Sequence, residues 1–342
     1  MKEYYDIIYV TNLPAFYKIR LLNEISKHKS VLAIFCGFDG AIQRNADFSK
    51  GEMQFDNVTL KYSGFKAVKE IRGLLGGVSF KEMIVCGNNT LVYWYLALKT
   101  SRKKLSVVCE SSIYESKMTG VKGVIKRFFN NRFSRCYASG EAAARLYADY
   151  GFKGEIVKTK GVGIFNYHKQ PAYTPCSEKC NKLIYVGRLS PEKNLRRLIE
   201  VVNRNPQWQL SIVGFGPLES ELKEIAGPNV HFLGAINNED LPSIYRGHDA
   251  FVLPSTSEPW GLVVDEALNN GIPVAVTERA GCVDDWVKDG KFGITFDPYS
   301  EQSIESAFRM ILTNETNNKL RKNISDLDFE QIAIDQINCY LS

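Results

Sequence analysis

The sequence predicts an α/β protein with two doubly wound domains. Short apolar runs alternate along the chain with segments whose apolar residues recur at the helical period. These runs are continuous, as expected for parallel strands that helices cover on both faces. The pattern occurs twice, on either side of a polar, proline-containing stretch at residues 167–180. A chain of 342 residues with 44% hydrophobic content can bury two cores of this kind.

Each domain is defined by its predicted strands. The first domain, residues 1–166, has apolar runs at 6–12, 30–37, 82–87, 105–110 and 135–140. Helical periods are clearest at 15–28 and 90–100 in this domain. The second domain, residues 181–326, has runs at 181–187, 209–214, 229–234, 249–255, 272–278 and 292–298. Residues 167–180 form the predicted linker, and a last helical period at about 327–342 is expected to pack against one of the domains.

Composition narrows the class of protein. No stretch approaches the length of about 18 to 20 uncharged apolar residues that a membrane span requires. The first ten residues, MKEYYDIIYV, carry charges where a signal peptide is apolar, so we expect a cytoplasmic protein. The eight cysteines show neither a disulfide framework nor a zinc-binding spacing, and we interpret them as reduced thiols. No nucleic-acid partner is expected.

The net charge of +5 is unevenly distributed. Residues 1–165 carry 26 Lys and Arg against 14 Asp and Glu, whereas the remaining residues carry 17 against 24. A basic first half is typical of a protein that meets an anionic surface or substrate. Uneven but solvated surface charge is an equally good interpretation.

Candidate binding residues follow the strands of the second half, because ligands of doubly wound sheets bind at the carboxyl ends of the strands. Arg188 follows the run at 181–187, and Lys193 precedes a helix that Asn194 is expected to cap. Two fixed cations at such a position suit a diphosphate. The alternative is that they pair with local carboxylates such as Glu192.

The next strand leads into a glycine-containing turn. Gly214 and Gly216 would let the backbone approach a ligand closely. The turn lacks the third glycine and the acidic residue of a dinucleotide fingerprint, so NAD binding is disfavoured.

Two glutamates surround the predicted start of a helix at 261–269, which Asn270 and Gly271 end. Glu258 precedes the helix, and Glu266 lies in its second turn. The unpaired N–H groups at the start of such a helix attract an anion, and helical side chains lean toward the N-terminus. Glu266 would therefore reach a ligand at this end and accept hydrogen bonds from its hydroxyl groups. A carboxylate would repel a phosphate bound at the helix start unless a neutral group, such as a sugar, lay between them. The equal alternative is that both glutamates are solvent-exposed charges without a ligand.

These motifs resemble one protein family. GRLSPEKN, VGFGPLESEL, HFLGAI and LPSIYRGHDAFVLPSTSEPWGLVVDEALNNGIPVAV, within residues 182–298, resemble the donor-binding domain of retaining glycosyltransferases of family 4. Glu258 and Glu266 keep that family's interval of seven intervening residues. The resemblance implies a GT-B fold, in which two Rossmann-like domains face a cleft and the C-terminal helix crosses back to the first domain.

The resemblance also implies a set of donor contacts. Arg188 and Lys193 would hold the diphosphate of a UDP- or GDP-linked sugar, Glu266 the ribose, and Glu258 the transferred sugar. The backbone amides of the helix start would hold the distal phosphate and the sugar, and further residues would surround the nucleobase. The amides are those of Trp260, Gly261, Leu262 and Val263, and the nucleobase residues are Gly214, Phe215, Leu233 and Gly234.

The first half departs from the commonest pattern of that family. Instead of a glycine-rich loop it has VTNLPAFYKIR, which resembles a subgroup common among bacterial surface-polysaccharide enzymes. Asn12, Pro14, Tyr17 and Arg20 of this segment are candidate acceptor contacts. Some relatives have a histidine at the end of the run at 105–110. This chain has Glu110 and Ser111 there. Glu110 would orient or deprotonate the acceptor hydroxyl, or it is a salt-bridged charge at the end of a strand.

The implied reaction needs no metal or other cofactor. A D-x-D pair at Asp326 and Asp328 lies beyond the last strand, where coincidence explains it better than metal binding. The acceptor would be a lipid-linked glycan or an oligosaccharide, in the synthesis of a bacterial O-antigen or capsule. The alternative is a non-catalytic subunit that binds a nucleotide sugar and stabilises a partner transferase.

A basic segment in the first half predicts contact with the membrane. Residues 117–135 contain six basic and no acidic residues, interleaved with apolar ones. On a helix, Val121, Ile125, Phe128 and Phe129 would share a face, with Lys122, Lys126 and Arg127 at its edges and back. This pattern suits peripheral binding to an anionic membrane on its cytoplasmic face. The alternative is that the apolar face packs onto the sheet. Both hold together if only the basic edge meets lipid.

Overall fold

The computed structural model describes residues 3–37, 49, 51–114 and 120–342. The chain divides into two compact units. The first comprises Met1–Phe165 together with Ile332–Ser342, and the second comprises Asn166–Gln331.

The first unit is built on a seven-stranded parallel sheet with the strand order β3-β2-β1-β4-β5-β6-β7. The strands are β1 (Tyr4–Thr11), β2 (Val31–Phe35), β3 (Asp56–Thr59), β4 (Ser79–Val85), β5 (Leu105–Cys109), β6 (Arg135–Ser139) and β7 (Glu155–Thr159). The α-helices described between these strands are α1 (Phe16–Ser26), α2 (Gly64–Leu75), α3 (Leu91–Lys99), α4 (Gly120–Asn130) and α5 (Gly140–Asp149).

The second unit is built on a six-stranded parallel sheet with the strand order β10-β9-β8-β11-β12-β13. The strands are β8 (Lys182–Val186), β9 (Gln209–Val213), β10 (Val230–Gly234), β11 (Ala250–Leu253), β12 (Val274–Thr277) and β13 (Gly293–Phe296). The α-helices are α6 (Leu195–Asn203), α7 (Glu219–Ile225), α8 (Leu241–Arg246), α9 (Leu262–Asn269), α10 (Val283–Trp286), α11 (Glu301–Ile311), α12 (Asn314–Ile324) and α13 (Phe329–Leu341), the last of which runs on into the first unit.

The C-terminal part of α13 packs against the first unit. The ring of Tyr340 stacks on that of Tyr137 of β6, with centroids 4.4 Å apart. Gln336, which is buried, donates a hydrogen bond to the carbonyl of Gly161 at 3.2 Å. A helix that is distant in sequence therefore contributes both apolar and polar contacts to the first core.

Each of the eleven runs predicted as strands contains a strand, and the two remaining strands were missed. They are β3 and β7, the edge strands of the first sheet. Most residues of both strands are exposed or half-buried, so neither forms the continuous apolar run typical of a covered strand.

Helix α4 exposes the apolar stripe that a packed helix would bury. Val121, Val124, Ile125 and Phe128, spaced at i, i+3, i+4 and i+7, are 76%, 65%, 47% and 57% exposed. Phe129 is buried, so the prediction that it shares their face was wrong: one residue turns a helix by about 100°, which carries Phe129 onto the packed side. The alternative that this apolar face is the packing face of the helix was also wrong, because the stripe is exposed and the buried residues of α4 are Gly123, Phe129 and Asn130. Lys117 lies outside the described residues.

The helices in the described part of the chain are all too short or too polar to cross a membrane.

Candidate active site

The carboxyl ends of β8 and β11 lie side by side where the strand order of the second sheet reverses. The loops that follow two such strands diverge to opposite faces of the sheet and leave a crevice, the usual ligand site of doubly wound folds. β8 is followed by Gly187 and Arg188, and β11 by the loop that contains Glu258. The strand order thus places Arg188, Glu258 and the start of α9 together at the carboxyl ends of the strands.

Lys193 and Glu258 form an ion pair at this edge. Lys193 ends a short 3-10 turn, and its Nζ contacts Oε2 of Glu258. The two side chains are 14% and 12% exposed. Ser255 Oγ donates a hydrogen bond to the same carboxylate oxygen at 3.2 Å. Largely buried charges of this kind depend on each other, because removing either one leaves the other poorly solvated.

Arg188 also has a carboxylate partner. Its Nη2 lies 2.9 Å from Oε1 of Glu192, which also accepts a hydrogen bond from Ser190 Oγ at 2.7 Å. The pairing with Glu192 that the sequence offered as an alternative is therefore present. Because both side chains of this pair are more than 40% exposed, the interaction contributes little stability. The guanidinium can exchange this carboxylate for a stronger anionic partner.

Asn194 lies at the N-cap of α6, but its side chain does not cap the helix. It has a left-handed backbone conformation, with φ at 55°. Its Nδ2 donates to the carbonyls of Pro254, at 3.2 Å, and Pro298, at 2.9 Å. The predicted side-chain cap was wrong, because these carbonyls compete for the side chain. Asn194 instead ties the segment of Lys193 to the loop of Glu258.

The start of α9 presents a row of backbone amides. Gly261 occupies the N-cap with φ at 99°, a conformation that glycine adopts without strain. In the described structure, no hydrogen bond is made by the amide N–H of Trp260, Gly261, Leu262 or Val263, the four predicted donors. These groups therefore retain their capacity to bind an anion.

Asp265, which the sequence analysis missed, supports this helix start. It is 4% exposed and accepts hydrogen bonds from two indole N–H groups, those of Trp260 at 2.7 Å and Trp286 at 2.9 Å. Burial raises the pKa of Asp265 to about 8, although both indole bonds act in the opposite direction. Asp265 thereby holds Trp260 against the first turn of α9. No sequence signal separates it from an ordinary first-turn acid.

Glu266 lies in the second turn of α9, as predicted. Tyr245 of α8, which is buried, donates a hydrogen bond to Oε2 of Glu266 at 3.3 Å. The carboxyl group keeps partial exposure, yet desolvation by the surrounding protein raises the pKa of Glu266 from its usual 4.5 to about 7. A carboxylate held by one hydroxyl still has room to accept hydrogen bonds from hydroxyl groups of a ligand.

The glycines after β9 approach the protein itself. A Cβ on Gly214 would lie 1.9 Å from the carbonyl oxygen of Gly187, and one on Gly216 would lie 2.4 Å from that of Leu189. Both glycines are therefore required for the loop after β9 to pack on the loop after β8. Phe215, Leu233 and Gly234 lie at this edge, and Leu233 is exposed.

In the first unit, Glu110 forms an ion pair with Lys18 of α1, which the sequence analysis did not single out. Lys18 is 8% exposed, and its Nζ lies 2.9 Å from Oε1 of Glu110. The same amine donates to Oγ1 of Thr11, at the end of β1, at 3.2 Å. Burial is the largest single effect on Lys18 and lowers its pKa, but Glu110, Tyr17 and Cys86 together raise the pKa overall. The pair joins the carboxyl ends of β1 and β5.

The other predicted acceptor residues are held in different ways. Asn12 Oδ1 accepts a hydrogen bond from Tyr93 at 2.5 Å. Tyr17 packs against the segment at 163–164, and Arg20 donates to the carbonyl of Phe165 at 2.7 Å, so both anchor the end of the first unit. Pro14 is half-buried in the turn before α1.

A cavity of about 270 Å³ adjoins Glu110. Its lining includes Asn88, Asn89, Glu110, Ser111, Asn130 and Tyr147. The structure thus brings Glu110 and Ser111 into one concave, mostly neutral polar site, whereas Tyr17 and Arg20 serve the packing of the unit.

Two parallel, doubly wound units are the architecture of the GT-B class. Solved structures share this fold. Sucrose-phosphate synthase from Thermosynechococcus elongatus has a TM-score of 0.75 at 16% identity, with 98% of each chain covered. The lipopolysaccharide outer core galactosyltransferase WaaB has a TM-score of 0.69 at 16% identity, with 98% of this chain and 99% of that chain covered.

Residues 168–326, a little under half of the chain, match the model of the family "Glycosyl transferases group 1". Sulfoquinovosyl transferase SQD2 of Arabidopsis thaliana is 35% identical over 134 residues, which cover 38% of this chain and 26% of the relative. The O-antigen biosynthesis glycosyltransferase WbnH of Escherichia coli is 31% identical over 163 residues, covering 41% of this chain and 47% of the relative. The chain thus matches less than half the length of either relative.

Proposed function

We propose that the protein is a retaining glycosyltransferase that moves a sugar from a UDP- or GDP-linked donor to a lipid-linked glycan or oligosaccharide acceptor. The observation that carries this proposal is the Lys193–Glu258 ion pair beside the unpaired amides that open α9. Cations and amides suit a diphosphate, and two nearby carboxylates suit the hydroxyl groups of ribose and sugar. The similarity to WbnH supports a place in bacterial O-antigen or capsule synthesis.

In the proposed reaction, the bond between the anomeric carbon and the diphosphate oxygen breaks while the acceptor oxygen bonds to the same face of the sugar. The acceptor proton passes to the departing diphosphate. Arg188, Lys193 and the amides of α9 stabilise the negative charge that develops there, and such preorganised groups give the largest single contribution in many enzymes. Glu258 faces the transferred sugar, and Glu266 holds the ribose.

Glu110 and its cavity are the proposed acceptor site. A carboxylate among side-chain amides and a tyrosine suits the hydroxyl groups of a neutral sugar. Lys18 fixes the position of Glu110 through their ion pair, so that the Glu110 carboxylate orients the acceptor hydroxyl. Ser111, Asn12 and Pro14 complete this part of the proposal, and Tyr17 and Arg20 support it through the segment at 163–165.

No metal is part of the proposed mechanism, because Arg188, Lys193 and the helix start supply the countercharge. In the part of the chain that the structure describes, no cluster of three His, Cys, Asp or Glu side chains is arranged for a metal ion.

The test is to incubate the purified protein with a panel of UDP- and GDP-sugars, with and without EDTA, and to measure nucleotide release and the anomer first formed. We expect slow donor hydrolysis with retention and little effect of EDTA. Tight nucleotide binding without turnover under any acceptor mixture would favour the alternative of a non-catalytic subunit. Loss of activity in EDTA, restored by Mg²⁺ or Mn²⁺, would contradict the metal-free mechanism.

Replacing Glu266 with glutamine should weaken donor binding about 10- to 100-fold, since it removes hydrogen bonds to a charged acceptor. With a pKa of about 7, the wild-type carboxyl group should bind donor more tightly above pH 7 than below it, and the variant should lose this dependence. A raised carboxyl pKa costs folding stability as pH rises from about 4.5 to about 7, so the variant should melt no lower than wild type at pH 8. The donor KM as a function of pH measures the effect, and a wild-type profile would overturn the assignment.

The exposed stripe of α4 supports a further part of the proposal, peripheral binding to the cytoplasmic face of an anionic membrane. Val121, Val124, Ile125 and Phe128 would insert among the lipids, while Lys122, Lys126 and Arg127 would meet the head groups. The sequence also allowed a mode in which the helix is packed in the core and only its basic edge meets lipid, and the exposed stripe does not favour that mode. It would bring the enzyme to a lipid-linked acceptor.

Flotation with phosphatidylcholine vesicles containing about 30% phosphatidylglycerol should show salt-sensitive binding, since each cation near the surface contributes about 1 kcal/mol. Lys122→Glu with Lys126→Glu, or Ile125→Ser with Phe128→Ser, should weaken binding about tenfold or more. Lys61→Glu with Lys66→Glu, the same charge change on exposed residues of the first unit, is the control. Equal binding to neutral and anionic vesicles, or equal loss in the control, would leave α4 without this role.

A further inference from the structure

A second cavity, of about 260 Å³, lies at the amino ends of the strands of the second sheet, whereas the proposed donor site lies at their carboxyl ends. Lys182 begins β8 and Asp249 directly precedes β11, and both line the cavity. Arg188 and Glu258 follow the other ends of these same strands. A strand of five residues spans about 16 Å, so the cavity is separate from the proposed donor contacts.

The lining of this cavity is rich in positive charge. Three cationic residues line it: Lys182, Arg246 of α8 and Arg321 of α12. Among the described residues, no carboxylate lies within 4.0 Å of any of these three cations. A cavity with three cations and no paired carboxylate carries a local positive potential.

Asp249, the one carboxylate in the described lining, is already engaged. Its Oδ1 accepts from Ser177 Oγ at 3.1 Å, and its Oδ2 accepts from the backbone amides of Asn181 and Lys182, both at 2.8 Å. These bonds fix the carboxylate toward the backbone. It offsets part of the positive charge without forming a salt bridge to the cations.

Arg321 is the buried part of the site. It is 9% exposed, and the groups that it donates to are neutral: Asn317 Oδ1 at 2.7 Å and the carbonyls of His248 and Asp249 at 3.0 and 3.3 Å. Burial lowers the pKa of Arg321, which Asp249 partly opposes. A buried guanidinium without an ion-pair partner is costly, and an anion in the adjoining cavity would relieve that cost.

We propose that this cavity binds a small organic phosphate monoester, at a site distinct from the donor crevice. Two planar guanidinium groups match phosphate oxygens, and Lys182 adds a third cation for a dianion. The hydroxyl oxygens of Thr174, Ser177 and Ser325 donate to protein oxygens and can still accept hydrogen bonds from hydroxyl groups of the organic part. The ring of Tyr173 is half-exposed at the side of the cavity. The volume admits a molecule of a few carbon atoms.

The site is connected to Glu266 through two helices. Arg246 donates to Asn270 Oδ1 at 3.2 Å, and Asn270 in turn donates to the carbonyl of Glu266 at 2.8 Å. Tyr245, the neighbour of Arg246, donates to the Glu266 carboxylate. The proposal itself concerns binding and does not depend on the proposed glycosyl transfer.

The test is calorimetric titration of the full-length protein with glycerol 3-phosphate and, separately, with inorganic phosphate. Both arms use the Arg188→Gln, Lys193→Gln background, which weakens phosphate binding in the donor crevice. Any binding that persists at the α9 amides would not respond to substitution of Arg246 or Lys182. We expect saturable one-site binding in which the ester exceeds inorganic phosphate, with glycerol as the neutral control. Adding Arg246→Gln or Lys182→Gln should weaken binding about tenfold or more, the loss of one charge-assisted hydrogen bond.

Arg196→Gln, which removes an exposed cation from α6 of the same unit, is the matched control and should leave the affinity unchanged. Because Arg246 and Lys182 are exposed, their substitution should preserve the melting temperature, whereas Arg321→Gln would also disturb folding. Absence of saturable binding, or binding that is unaffected by both Arg246→Gln and Lys182→Gln, would overturn the proposal. A stronger response to inorganic phosphate than to the ester would overturn the organic part of it.

Discussion

Replacing Lys193 with alanine should lower kcat/KM for the nucleotide-sugar donor about 30- to 1000-fold, the equivalent of 2–4 kcal/mol for one preorganised electrostatic contact. The turnover number should fall along with donor affinity, because the contact strengthens as charge develops on the departing diphosphate. Among the described residues, the same change leaves Glu258 with Ser255 as its remaining side-chain partner. Since the pair is about 13% exposed, we also expect a loss of stability of about 1–3 kcal/mol.

Steady-state kinetics and thermal unfolding of the same preparation separate these two effects. Arg196→Ala serves as the control, because Arg196 is a half-exposed cation whose partner, Glu221, lies on the surface. Its rate and melting temperature should match those of wild type. If Lys193→Ala retained wild-type kcat/KM at a temperature where it is folded, the ion pair would be structural and the diphosphate assignment would fail.

The elements that surround the proposed donor site could be predicted from sequence because their signals are local. Gly261 opens α9 and Asn270 with Gly271 ends it, and these residue types mark helix boundaries directly. The distance between Glu258 and Glu266 is likewise fixed within one loop and one helix. The continuous apolar runs predict where each strand ends and therefore which residues follow it.

Contacts between distant residues were harder to predict. The Lys18–Glu110 pair joins residues 92 positions apart, and either residue alone looks like an ordinary surface charge in the sequence. In the sequence Asp265 looks like any acidic residue in the first turn of a helix. Only the structure shows that the indole N–H of Trp286 donates to it at 2.9 Å. Gly214 was expected to admit a ligand, but the space beside it is filled by the carbonyl of Gly187, a residue of the neighbouring strand's loop.

Helix α4 shows a different limit of periodicity. The spacing of its apolar residues identifies which of them share a face, but not whether protein covers that face. Only the structure shows that Gly123 and Phe129 pack inward while Val121 and Phe128 point outward. The sheet-packing interpretation fails for this reason, although the helix itself was expected.

A second large effect is expected from Gly281→Ala, a substitution that removes no charged group from the site. Residues 279–282 run beside the loop of Glu258 like a short parallel strand: Glu258 N–H donates to Arg279 O at 3.2 Å, and Gly281 N–H donates to Glu258 O at 3.0 Å. A Cβ on Gly281 would lie 1.8 Å from the carbonyl oxygen of Pro259. Ordinary contacts are about 3.5 Å or longer, so the loop must move by more than 1 Å.

Because a misplacement of about 1 Å at a reacting centre can cost 100-fold in rate, Gly281→Ala should lower kcat/KM about 100-fold while the overpacking costs about 1–3 kcal/mol of stability. Gly73→Ala is the matched control, since Gly73 lies in α2, where an added Cβ meets nothing within 4 Å and alanine favours the helix. Kinetics at a temperature well below both melting transitions isolate the positional effect. Wild-type kcat/KM for Gly281→Ala would mean that the position of Glu258 does not limit the reaction. A loss that Gly73→Ala does not share would place the requirement in the loop that joins Glu258 to the start of α9.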